Sequence, residues 1–138
     1  MSKLADRLLL AAVVSVLPPA AYAATQHLGA YLKTYYSDFA IVKECVGRHQ
    51  LSAGDVDNAK AAIAKIEAYY LQRDPAIKKD VLSKQAVSDK NIAFKMMMET
   101  GKVDLRQFCH ASLNDIMSKL HDIEAAAPAS KGGSSTAK

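Results

Sequence analysis

"LGAYLKTYYSDFAIVKECVGRH", residues 28–49, is the stretch on which the fold turns. Leu28, Leu32, Tyr35, Phe39, Val42 and Val46 recur at alternating spacings of four and three, the heptad-like seam of one helix face. Near its end stands Cys45, one of only two cysteines in the chain. A first helix over 28–49 is predicted, and the rest of the chain must cover its seam.

Three further helices are predicted downstream. After "QLSAGD", Ser52 with Asp55 three residues on forms a variant capping box, and Val56, Ala59, Ile63, Ile66 and Tyr70 repeat the seam as far as Arg73. Asp74-Pro75 then restarts the chain as N-cap and first helical residue, with a third helix running towards Glu99, a possible bend near Ser88, and Gly101 as left-handed cap. Asp104 caps the fourth helix, with Val103 and Phe108 placed as a hydrophobic staple. Its buried face reads Leu105, Phe108, Cys109, Leu113, Ile116, Leu120 and Ile123. Four helices on short connections predict an all-α, up-and-down bundle. In that order the first helix ends and the fourth begins at one pole, with Cys45 and Cys109 each about 6 Å below it at 1.5 Å per residue. A Cys45–Cys109 disulfide is therefore expected, worth roughly 4 kcal/mol in the chain-entropy model.

The chain ends bound the setting. "MSKLADRLLLAAVVSVLPPAAYAAT" has the basic start, ten-residue apolar run and small-residue site of a secretory signal over residues 1–23, with cleavage between Ala23 and Ala24. Ten apolar residues make only about 15 Å of helix, half a hydrocarbon core, so no membrane span is expected after cleavage. The expectation is a periplasmic protein with a helical domain over 24–126 and a small, polar, disordered tail over 127–138. The net charge of +4 loses its meaning once these ends are set aside, because 14 bases then face 13 acids. Such balance argues against a nucleic-acid binder. There is no Walker loop, no GxGxxG and no internal repeat.

Candidate chemistry is sparse. Cys109 and His110 are adjacent, hence about 100° apart around a helix, which is poor geometry for a nucleophile and its base. His110 and His121 share a face but stand about 16 Å apart, too far to hold one ion. The "DVDN" at 55–58 has Lys60 where a calcium loop needs glycine. No scattered acid lies in a strongly apolar context. Catalytic residues, a metal and a cofactor are accordingly not expected. The alternative is a small-ligand or haem carrier that uses the bundle interior, with Met96, Met97 or Met98 and His110 available as ligands. The segment "IAFKMMM", 92–98, cannot point wholly inward. With Ile92, Ala93 and Met96 on the core, Phe94 and Met98 form a second apolar strip, and Tyr31, Tyr36 and Tyr69 sit beside the main seams. These five are the expected partner-binding residues, for a protein partner or a second copy in a homodimer.

The first helix, "YLKTYYSDFAIVKEC", with Tyr31, Tyr35, Asp38, Phe39 and Cys45, and the later Cys109-His110 pair resemble the periplasmic immunity proteins that neutralise type VI secretion peptidoglycan amidases. The resemblance covers about 25 residues and lacks the tryptophan usual in that family. It implies an all-helical, dimeric inhibitor that plugs an amidase active site. The expected function is non-catalytic binding of a protein partner, with inhibition or immunity as its sharpest form.

Overall fold

The computed structural model describes residues 19–128, with side chains from residue 27 onward. Four helices follow in order: α1 Pro19–Gly47, α2 Ala53–Arg73, α3 Lys79–Thr100 and α4 Leu105–Ala126. The chain is an all-α, up-and-down bundle pinned by a Cys45–Cys109 disulfide, whose Cα atoms are 5.9 Å apart. Residues 1–18, most of the expected signal segment, and residues 129–138, most of the expected tail, lie outside the described residues. Ala23 and Ala24 fall within the first turns of α1. Among the described residues no helix is long and apolar enough to cross a membrane.

The helices do not form a square. α1 packs against all three others, α2 and α4 also pack together, and α3 packs mainly on α1. The position of α1 explains why it buries more than one seam. Leu32 and Val42 are fully buried as expected, but Tyr36, Ala40, Ile41 and Cys45 form a second buried stripe against the additional neighbours. Leu28, Tyr35, Phe39 and Val46 of the predicted seam are half-buried against this core. α2 follows its pattern closely, burying Ala59, Ile63, Ile66 and Tyr70. On α4, Cys109 and Ile116 are buried, and the rest of the expected face is half-buried. Each fully buried leucine or isoleucine contributes roughly 1.5–3 kcal/mol relative to exposure, so Leu32, Ile66 and Ile116 anchor the centre.

α3 departs from the sequence reading in two ways. It begins at Lys79, because Asp74-Pro75 closes a local turn instead of starting a helix. The Asp74 carboxylate accepts the Ala76 N–H at 3.1 Å, while the Asp74 carbonyl accepts the Ile77 N–H at 3.3 Å. The carboxylate caps a turn that does not propagate. The inward face also differs. Phe94 and Met97 are buried, whereas Ile92, Met96 and Met98 are 56, 60 and 64 % exposed. Phe94 is held edge-on against Phe108 of α4 at 5.2 Å, with the Arg48 guanidinium 5.1 Å from its ring. No break occurs at Ser88; the helix is continuous and ends at Gly101 with φ 59°, as expected.

Candidate functional site

At the pole opposite the disulfide, the first half of α1 runs antiparallel to the end of α2. The early turns of α1 therefore face the last turns of α2. Tyr35 stacks on Tyr70 at 6.3 Å, and Tyr70 meets Tyr69 edge-on at 5.3 Å. Tyr69 and Tyr70 are consecutive and so point about 100° apart, which buries Tyr70 and leaves Tyr69 at the rim. Tyr31, one turn before Tyr35, is 56 % exposed. Together with Leu28 and Lys119 the four tyrosines line a hollow of about 270 Å³.

Cations sit on these rings. The Arg73 guanidinium lies 3.4 Å from the Tyr69 centroid and donates from Nη1 to the Tyr69 carbonyl at 3.0 Å. The Lys119 ammonium lies 5.4 and 5.5 Å from the Tyr69 and Tyr70 centroids. Ring faces attract such charges, by about 0.5–1 kcal/mol where exposed. Beyond Tyr69, the ends of α2 and α4 frame a groove of about 490 Å³ whose lining includes Ala68, Ile123, Ala127, Pro128 and Arg73. A third hollow, between α1 and α4, is lined by Thr34, Asp38, Asp115, Ser118, Lys119 and Asp122 among others. There burial drives the Asp38 carboxyl up to about 6; the Ser112 hydroxyl opposes the rise and the Asp115 charge adds to it. Burial also raises the Tyr35 and Tyr70 hydroxyls, keeping both protonated and able to donate.

The five expected partner-binding residues separate. Tyr31 and Tyr69 line the same hollow. Tyr36 is buried, and its hydroxyl donates to Glu67 at 2.7 Å. Burial pushes Glu67 up, but the Tyr36 hydroxyl and Lys79 together hold it below the usual carboxylate range. This triad ties α1, α2 and α3 together and is a structural contact. Phe94 is buried, so the expected Phe94–Met98 strip does not exist as a surface. Met98 is exposed on α3, which contributes nothing to the tyrosine hollow. Of the ligands offered for the carrier reading, Met96, Met98 and His110 are exposed and Met97 is buried. Among the described residues no three His, Cys, Asp or Glu side chains are placed to hold a metal ion. Sequence reasoning assigned Tyr35 and Tyr70 to seams and missed that they back the same hollow as Tyr31 and Tyr69. The antiparallel pairing of α1 with α2 is the signal that joins them. Comparison with family models, with curated proteins and with solved structures finds no match.

Proposed function

We propose that this is an exported protein that binds a protein partner non-catalytically through its tyrosine-lined pole, with inhibition or immunity as the sharpest form of that role. The observation that carries the reading is the gathering of Tyr31, Tyr35, Tyr69 and Tyr70 with Arg73 and Lys119 at one end of the bundle. Tyrosine and arginine are enriched among the residues that carry binding energy at protein interfaces, tyrosine because it buries a large ring at small conformational cost and arginine because its planar fork makes several directed hydrogen bonds. The buried disulfide supports an oxidising, exported setting. It also supports rigidity, since it holds α1 and α4, two of the three helices that present the surface.

The test is capture of the partner from the periplasm of the native cell, followed by calorimetry with that partner purified. Tyr31→Ala combined with Tyr69→Ala is expected to weaken binding at least tenfold, while circular dichroism stays unchanged. Unaltered affinity in the double variant sinks the reading. An immunity role further requires that the captured partner be an enzyme whose activity falls at a one-to-one ratio. Sedimentation of the protein alone tests whether a second copy occupies the same pole.

A further inference from the structure

We infer that Lys119 has two seats, one on the tyrosine rings and one among the carboxylates of the neighbouring hollow, and that the charge on those carboxylates decides whether the ring faces are covered or open. The consequence for a partner rests on the partner-binding reading; the movement itself does not. Lys119 and Tyr35 line both hollows, so the two share a wall. In the structure the ammonium takes the ring seat, 5.4 and 5.5 Å from the Tyr69 and Tyr70 centroids. Yet Asp115 stands four residues before Lys119 on α4 and Asp122 three after, the spacings at which an acid and a base on one helix reach each other. Among the described residues Lys119, Asp38, Asp115 and Asp122 nevertheless form no ion pair.

One added charge tips the choice. A cation on an exposed ring face and an exposed ion pair within a helix are each weak, so neither seat dominates. Arg73, stacked on Tyr69 at 3.4 Å, pushes a second cation off that ring, while Asp115 and Asp122 pull from the other side. Asp38 of α1 lines the same hollow as these two. Its carboxyl, raised to about 6 by burial, gains its charge only as the pH rises through that value. The charges of Lys119, Asp38 and Asp115 all act on the Tyr35 hydroxyl, so the three lie within electrostatic reach of one point on the shared wall. The other polar groups that face Lys119 are the tyrosines of α1 and α2, and α3 lines neither hollow. A charged Asp38 gives the second seat a third carboxylate, and Lys119 leaves the rings. The tyrosine faces are therefore covered in mild acid and open at neutral pH.

The test uses the free protein. Ring currents shift the ε-methylene protons of Lys119 upfield while it lies on Tyr69 and Tyr70, and NMR follows them from pH 4.5 to pH 8. They are expected to move downfield with a midpoint of about 6, together with the Tyr69 and Tyr70 ring signals, as the ratio of ring seat to carboxylate seat falls at least threefold. Asp38→Asn should abolish the transition, and Asp115→Asn combined with Asp122→Asn should hold Lys119 on the rings throughout. His27→Asn and His121→Asn are the controls and should leave the transition unchanged; circular dichroism verifies the fold of each variant. Lys119 signals that do not move, a transition that survives Asp38→Asn, or one that is lost in either histidine variant overturns the inference. If it fails while capture of the partner still depends on Tyr31 and Tyr69, the two-seat device is wrong and the binding surface stands.

Discussion

The two poles of the bundle are built by opposite rules. At one, every helix end is finished. α1 stops in a Schellman-type turn, with the Gln50 N–H donating to the Cys45 carbonyl at 2.9 Å and the His49 N–H to the Val46 carbonyl at 3.0 Å. α2 opens on a reciprocal capping box between Ser52 and Asp55. α3 ends at a left-handed Gly101, α4 starts under the Asp104 carboxylate, and the disulfide crosses just beneath. At the other pole α3 begins at Lys79 after an N-cap, Lys78, that makes no side-chain cap bond, α2 and α4 leave a groove between their ends, and tyrosines reach the surface beside Arg73 and Lys119, which form no ion pair among the described residues. Stability is concentrated where the chain turns twice beside the cross-link. That concentration lets the far pole keep side chains arranged for something other than the bundle itself.

The largest expected effect breaks the finished pole. Removing the cross-link with Cys45→Ala and Cys109→Ala should cost about 4 kcal/mol, because the 64-residue separation closes a long loop in the unfolded chain. Urea denaturation measures it. A loss below about 1 kcal/mol would mean that packing alone fixes α1 against α4 and that the asymmetry between poles is illusory.

A smaller effect lies at Asp38, on the flank of α1 where the two regions meet. Its folded value of about 6 stands above the ordinary 3.8, so the folded state holds a proton that the unfolded state releases first. Stability from this group is complete below about 4 and is lost as the pH rises through about 6. Asp38→Asn removes the slope and should stabilise the protein by about 1 kcal/mol at pH 7.5. That figure is well under the full shift because the carboxyl is partly exposed and water screens it. Melting temperatures of both proteins between pH 4 and pH 8 provide the check; parallel curves would refute it.

How much of this was legible in the sequence differs by helix, for a physical reason. α2 and α4 each meet two neighbours lying to one side, so a single stripe describes them, and Ile63, Ile66 and Ile116 fall where periodicity puts them. The pairing of Cys45 with Cys109 was legible because chain order alone fixes which ends share a pole. α1 is surrounded, and no one-stripe pattern can announce Tyr36 or Ile41. α3 lies mainly on α1, so its rotation is set by where Phe94 wedges beside Phe108 and Arg48, a tertiary contact that "IAFKMMM" cannot encode. The tyrosine pole was half legible. Tyr31 and Tyr69 stand out as off-seam aromatics, but that they share a hollow depends on the register of α1 against α2.

The smallest expected effect sharpens the contrast by improving the pole that is already finished. His49 adopts φ 59° at the position where a Schellman turn usually holds glycine. A left-handed conformation costs an L-residue roughly 1 kcal/mol, because Cβ crowds the following carbonyl. Glycine removes that cost but gives the unfolded chain more freedom, which returns part of the gain. The net for His49→Gly should be a stabilisation of about 0.5 kcal/mol, read as a shift in the urea midpoint with unchanged slope. His49 is exposed, and neither its side chain nor the turn lines the tyrosine hollow, so binding at the far pole should not change. A destabilised variant would show that the imidazole itself stabilises this turn. Altered binding would show that the poles are coupled through α1, and the division of labour between them would then have to be abandoned.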